Sequence, residues 1–285
     1  MPELPEVETV ARDLARHLVN LKIKDLVSVD AKKILKTPLA SFRRRVRDKR
    51  IERVYRRAKM IVIDLGTQVI LFHLKMTGQL IYSAKKVIVA GGHPIISTGV
   101  IVPNKYTRVI FKLSRGQLYF NDLRKFGWVK LMKKDDFIRF ELTLGIEPLS
   151  RDFNLKFFKK MLSRRKRSSI KVALLDQKHL VGLGNIYVDE VLFQAGIQPA
   201  RKINGLKSKE IEQVFKAIPI ILRRAVKKRG TTFRNFVDPD GMSGYFVSDL
   251  KVYGRAGKPC KICGRPIKKG RIAARGTHWC EHCQK

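Results

Sequence analysis

Pro2 and Glu3, in the opening run Met1-Pro2-Glu3-Leu4-Pro5-Glu6, carry the first chemistry that the chain suggests. A small second residue lets the initiator methionine be removed, and a proline left at the head of the chain is a secondary amine. An α-amino group titrates near ~8 against ~10.4 for lysine, so a useful fraction is an uncharged nucleophile at neutral pH. Glu3 beside it is a candidate general acid and base for work on a sugar. Taken alone, the same residues also suit a plain helix start. A second chemistry lies at the other end, where Cys260-x-x-Cys263 and Cys280-x-x-Cys283 are the chain's four cysteines. Two C-x2-C pairs match four thiolates on one tetrahedral zinc, and four protein ligands leave no open position, so the site is structural. His278 and His282 are spare donors that two complete pairs make unnecessary.

These groups need elements to position them. Val7, Val10, Ala11, Leu14 and Leu18 recur at helical spacing behind Pro5, with Glu6 and Glu8 near the positive end of the dipole, so an amphipathic helix opens the chain. From Ile23 to Lys133 the period falls to two. The runs 26–29, 60–63, 69–72, 109–111 and 118–120 read as short strands of an antiparallel sandwich or barrel. The stretch 85–103, with Gly91-Gly92, reads as a long hairpin connection or insertion. Pro148 marks a boundary, after which 153–165, 170–176, 186–195 and 207–228 read as helices, with Gly182-Leu183-Gly184 and Gly196 at turns. The segment from Leu250 is too small to hold a core without a metal. The expected class is α+β multidomain, with an N-terminal helix and antiparallel β-sandwich over 1–135, a helical domain over 136–245 and a four-cysteine finger over 246–285.

Composition narrows the partners. Lys and Arg total 61 against 24 Asp and Glu over 285 residues, a formal charge of +37, while the apolar share of 44% is normal for a chain with a real core. That excess points to a polyanion, nucleic acid ahead of a membrane surface, although a generally basic proteome would also produce it. The acidic start is unlike a secretory signal, no apolar run reaches the ~18 residues of a membrane span, and cysteines confined to one module fit a reducing compartment. The expectation is a soluble, cytoplasmic bacterial protein working as a monomer.

The start motif through Val7-Glu8-Thr9, Arg57-Ala58-Lys59, Gly182-Leu183-Gly184-Asn185-Ile186-Tyr187 and the terminal cysteine quartet together resemble the formamidopyrimidine-DNA glycosylase family over essentially the whole chain. The resemblance implies a β-sandwich, a helix-two-turn-helix domain and a zinc finger, with damaged double-stranded DNA in the cleft between. It implies base excision repair: Pro2 attacks the sugar C1′, expels an oxidised purine such as 8-oxoguanine or a formamidopyrimidine, and forms an imine, after which β,δ-elimination cuts the strand. By the same resemblance Glu3 helps to open the sugar ring, Lys59 sits at the lesion, and Asn185 and Arg275 contact phosphate. Met76, Arg124 and Phe126 fill the void left by the extruded base; by position alone, Met76 and Phe126 would read as core residues of a β-domain. Where family members often carry Lys-His-x-His, this chain reads Lys105-Tyr106-Thr107-Arg108, and Arg108 offers an equivalent charge-assisted contact.

Three functional classes stay open on the sequence: the purine-lesion glycosylase and lyase, a pyrimidine-preferring relative resembling endonuclease VIII, and a catalytically silent zinc-containing nucleic-acid binder. Leu4-Pro5-Glu6-Val7 favours the purine branch, Pro2 and Glu3 argue against a pure binder, and base preference depends on the stretch from Thr231 to Tyr245.

Overall fold

The computed structural model describes residues 1–29, 31–85, 87–92, 101–231 and 245–285. The chain divides into two compact units, Met1–Leu142 with Arg229–Tyr245, and Thr143–Lys228 with Phe246–Lys285.

In the first unit, α1 (Leu4–Leu18) buries Leu4, Val7, Val10, Ala11, Leu14 and Leu18 along one stripe. Burying each large side chain is worth about 1.5–3 kcal/mol, more than the roughly 1 kcal/mol of a helix cap, so the apolar stripe rather than the cap fixes where the N-terminus lies. Two antiparallel sheets sandwich the core. One runs in the order β1 (Ile23–Ser28), β7 (Thr107–Leu113), β8 (Gln117–Asp122), β5 (Gly78–Ala84) and β6 (Val87–Gly92). The other is β2 (Arg53–Arg57), β3 (Met60–Asp64), β4 (Gln68–His73) and β9 (Trp128–Lys133). Phe72, Phe111 and Phe120 meet between them in edge and tilted contacts.

All five strand runs read from alternation are strands. The period-two reading passed over α2 (Leu39–Val46), whose Phe42 and Val46 close one end of the core, and α3 (Lys134–Leu142), whose Phe137 covers the outer face of the second sheet. The stretch read as an insertion begins as β6, paired residue for residue with β5. Gly91 is required there because a Cβ would come within 2.4 Å of the Val10 side chain, so its absence lets α1 lie against the sheet. Residues 93–100 of that stretch lie outside the described residues.

The second unit contains α4 (Leu155–Ser163), α5 (Ile170–Leu175), α6 (Asn185–Gln194) and α7 (Ser208–Lys227), each within two residues of the helix read from periodicity. Asn154 and Ser169 cap α4 and α5 with side-chain oxygens. The hairpin β10 (Lys268–Ile272) and β11 (Arg275–Trp279) belongs to this unit, with a small core of Phe193, Val252, Cys260, Ile267 and Cys280. No helix among the described residues is long and apolar enough to cross a membrane.

Candidate active site and zinc centre

Pro2 is partly exposed, immediately ahead of a buried Glu3 that caps α1. Glu3 and Glu6 form a capping box, and the Glu3 N–H donates to Glu6 Oε2 at 3.0 Å. Glu6 Oε1 accepts from the Thr231 N–H at 2.7 Å and the Thr231 hydroxyl at 3.0 Å. A Cβ on Gly230, at φ 84°, would meet that same oxygen at 2.6 Å, so glycine is needed both for the turn and for the approach. Arg229 completes the attachment with a bidentate pair to Asp13 of α1. The N-terminal residues are thereby tied to the start of the 231–245 stretch. Residues 232–244, on which the base-preference argument rests, lie outside the described residues.

Lys59 occupies a two-residue turn between β2 and β3, where Arg57 pairs with Met60 and Ala58 adopts φ 54°. A lysine in such a turn ordinarily stands in solvent, yet Lys59 is only 6% exposed. Its turn is fastened to α1: Arg56 Nε meets Glu8 Oε2 at 2.8 Å, and the same guanidinium donates to the Ala58 carbonyl at 2.9 Å. Arg12 holds the other Glu8 oxygen at 2.7 Å. Helix and turn, the carriers of Pro2–Glu3 and Lys59, are thus coupled through a largely buried ion pair. The sequence offers Glu8 as an acid for the helix dipole and does not mark Arg56 as its partner; the i, i+4 spacing of Glu8 and Arg12 is the available signal of pairing.

His73, at the end of β4, was also passed over. Its Nδ1 accepts the Lys75 N–H at 3.0 Å, so the proton of the neutral ring sits on Nε2. Burial, then the charges of Lys75 and Lys59, push its pKa down to about 3. The ring packs on Trp128 at 5.6 Å and presents a neutral N–H donor near a lysine. Its place three residues before Met76, at a strand end, was the clue.

Met76, Arg124 and Phe126 come together at the ends of the first sheet's strands. The Arg124 guanidinium lies 4.6 Å from the Phe126 ring centroid and 3.7 Å from the Met76 sulfur. All three are exposed, with Phe126 54% accessible, which for Met76 and Phe126 is unlike the core positions that their residue types alone suggest. Arg108 turns inward instead: it is buried, and its Nε donates to the Asp122 carbonyl at 3.0 Å.

In the second unit, Asn185 opens α6 after Gly184 and donates its amide to the Gly276 carbonyl at 2.7 Å, while Arg275 is exposed on the adjoining hairpin. Lys171 reaches the same carbonyl at 3.1 Å and pairs with Asp189 at 2.6 Å, both side chains fully buried. The second Asp189 oxygen accepts the His278 N–H at 2.8 Å. A buried pair of this kind is costly unless every lone pair is used, and here the pair clamps β11 to two helices. The turn between β10 and β11 consists of Ala273 and Ala274, both at positive φ, which brings Arg275 to the start of β11.

The four cysteine sulfurs lie within 4.8 Å of one another, with Cys260–Cys283 at 3.9 Å and Cys263–Cys280 at 3.5 Å. Zinc–sulfur bonds of ~2.3 Å place tetrahedral sulfurs about 3.8 Å apart, so the quartet fits one structural zinc. Desolvation and the neighbouring sulfurs push the Cys283 thiol up, a penalty that a dication removes.

A helix-headed β-sandwich on the same chain as a helical unit with a four-thiolate hairpin is the construction of the zinc-finger DNA glycosylases of base excision repair. Residues 1–129 match the formamidopyrimidine-DNA glycosylase N-terminal domain, 144–237 its H2TH domain, and 257–285 the zinc finger found in FPG and IleRS. The formamidopyrimidine-DNA glycosylase of Pelotomaculum thermopropionicum is 42% identical, covering 100% of this chain and 99% of the relative. That of Herpetosiphon aurantiacus is 41% identical, with full coverage of both. Among solved structures, Lactococcus lactis Fpg in complex with abasic-site DNA superposes with a TM-score of 0.87 at 33% identity over 99% of each chain. The same enzyme with N7-benzyl-Fapy-dG DNA gives 0.86 over 100% of each. The chain belongs to the formamidopyrimidine-DNA glycosylase family.

Proposed function

We propose that this DNA glycosylase excises oxidised purines from damaged duplex DNA and then cleaves the strand as an abasic-site lyase, with Pro2 as nucleophile. The observation that carries the reading is the attachment of the capped Pro2–Glu3 start to the Lys59 turn through Glu8 and Arg56, which fixes an amine, a carboxyl group and a cation on one support.

After removal of Met1, the Pro2 nitrogen attacks C1′. The N-glycosidic bond breaks, its electron pair leaves with the base, and the base takes up a proton. Glu3 protonates the ring oxygen as the sugar opens, and nitrogen and C1′ become an iminium. Loss of a C2′ proton expels the 3′ phosphate, and a second elimination expels the 5′ phosphate. Lys59 supplies positive charge beside the departing base and phosphate. Asn185 at the start of α6 and Arg275 on the finger are assigned to phosphate contacts, and Met76, Arg124 and Phe126 to the space vacated by the flipped nucleotide. Arg108 acts through the turn that it holds. The zinc orders the finger and takes no part in bond making. The preference for purines rests on Leu4-Pro5-Glu6-Val7 and the start-motif resemblance.

Borohydride added to the Met1-free enzyme with duplex carrying one 8-oxoguanine should trap a covalent adduct on Pro2, located by mass spectrometry. Absence of an adduct alongside normal binding would remove the amine mechanism. Excision of thymine glycol as fast as 8-oxoguanine would move the enzyme to the pyrimidine branch.

A further inference from the structure

We infer that the buried Asp122 carboxylate, with the Thr77 hydroxyl, is the positioning element for the exposed Met76–Arg124–Phe126 group, and thereby governs base extrusion rather than imine chemistry. This rests on the proposed reading of that trio as the filler of the vacated space. Asp122 ends β8 and is fully buried. Its Oδ1 accepts the Thr77 hydroxyl at 2.5 Å and the Arg124 N–H at 3.2 Å, and its Oδ2 accepts the Gly127 N–H at 2.7 Å. The Arg124 N–H also reaches the Thr77 oxygen at 3.1 Å. One carboxylate therefore closes the 123–127 turn at both ends and joins it to the 74–77 turn. Met76 stands beside Thr77, and Arg124 and Phe126 stand on the turn itself.

Every surrounding donor is a backbone N–H or a hydroxyl, so the group must accept at both oxygens. Asparagine has the same shape but turns an amide N–H toward one of those donors. The geometry leaves little freedom elsewhere. A Cβ on Gly127 would lie 2.8 Å from the Phe120 ring and 3.0 Å from Asp122 Oδ2, and Lys75 and Lys125 both hold left-handed backbone, at φ 50° and 54°. The Asp122 backbone is fixed as well, its N–H on the Tyr106 carbonyl at 2.9 Å and its own carbonyl on Arg108. Three side chains that must enter a base stack together need such a support, because a wedge that swings freely pays ordering entropy at each encounter.

The brace should matter only where a base has to leave a stack. Asp122→Asn should lower excision of 8-oxoguanine from duplex by 10-fold to 100-fold. Borohydride trapping on a single-stranded oligonucleotide with an abasic site, which has no stack to open, should stay within about twofold of wild type. Thr77→Val should show the same split more weakly, and Thr77→Ser should restore wild-type behaviour; these two variants carry the test if Asp122→Asn does not fold by circular dichroism. Equal losses on both substrates, or undiminished duplex excision in Asp122→Asn and Thr77→Val, would overturn the inference. Wild-type protein that traps on the single strand yet excises nothing from duplex would instead overturn the underlying reading.

Discussion

Two hairpins in this chain each deliver a cation from a two-residue turn with alanine in left-handed backbone, and they are held in opposite ways. Lys59 follows Ala58 between β2 and β3, strands that help build a core reaching from Val7 to Leu131. Arg275 follows Ala273 and Ala274 between β10 and β11, where the apolar core is five residues, two of them zinc ligands. The first turn is held by hydrophobic burial and flanking ion pairs, Arg56–Glu8 among them, the second by a metal and a buried Lys171–Asp189 clamp. A hairpin that presents a cation can therefore rest on nondirectional burial, which tolerates many changes, or on a few directional bonds.

The largest expected effect separates chemistry from both supports. Retaining Met1, or fusing a tag ahead of it, turns the Pro2 nitrogen into a tertiary amide. Activity should fall to background while Kd for lesion duplex changes by less than about threefold, since Lys59, Asn185 and Arg275 are untouched; full activity in protein shown by mass spectrometry to keep Met1 would refute the nucleophile.

Chelation is the next largest. Removing zinc should unfold the Arg275 hairpin and leave the Lys59 hairpin standing. The chain's two tryptophans make the comparison direct, because Trp128 lies on β9 and Trp279 on β11. A chelator should shift the emission of Trp279, isolated in a Trp128→Phe variant, and leave that of Trp128 in a Trp279→Phe variant. Parallel changes in both would show that the two supports are not independent.

A smaller loss is expected from Lys171→Met, which strands a buried carboxylate and should cost about 3–5 kcal/mol in urea unfolding. Adding Asp189→Leu should recover part of that stability. DNA affinity should not return with it, because the Gly276 carbonyl has lost one of its two donors and the His278 N–H its acceptor.

The smallest effect concerns His73, whose folded pKa of about 3 lies below its ordinary value of 6.5. Below pH 6.5 the unfolded chain takes up a proton that the folded chain refuses, so this group's contribution is present above 6.5 and is lost as pH falls toward 3, by a few kcal/mol at most. His73→Gln should flatten the decline in urea stability between pH 7 and pH 4.5. An unchanged slope would mean that the imidazole is not held neutral.

The sequence was most legible where one residue type has one use. Four cysteines at C-x2-C spacing led directly to the zinc, and apolar periodicity put a helix at the head of the chain and located α4 to α7 within two residues. It was least legible where a charged residue serves another charged residue. Arg56, Lys171 and Asp189 look like ordinary surface charges until the fold buries them, and with 61 basic residues nothing in the sequence singles out the few that pair inside. Helix α2 was hidden by its arginines, Arg43 to Arg45, which dilute the apolar stripe of Phe42 and Val46. Asp122 was hidden differently, because hydrogen bonds from backbone N–H groups leave no mark on the residues that donate them.

The Ala273–Ala274 turn has a bearing on how improved variants of this enzyme would be selected. Two-residue hairpins of this kind favour asparagine and glycine, and an alanine in left-handed backbone costs roughly 1 kcal/mol. Glycine at either position would relieve that cost in the folded chain but give the unfolded chain more conformations, so the melting temperature should barely move. What would change is the stiffness of the lever that carries Arg275. A screen ranking variants by thermal stability would pass such a substitution as neutral, while one ranking them by residence time on damaged duplex would reject it.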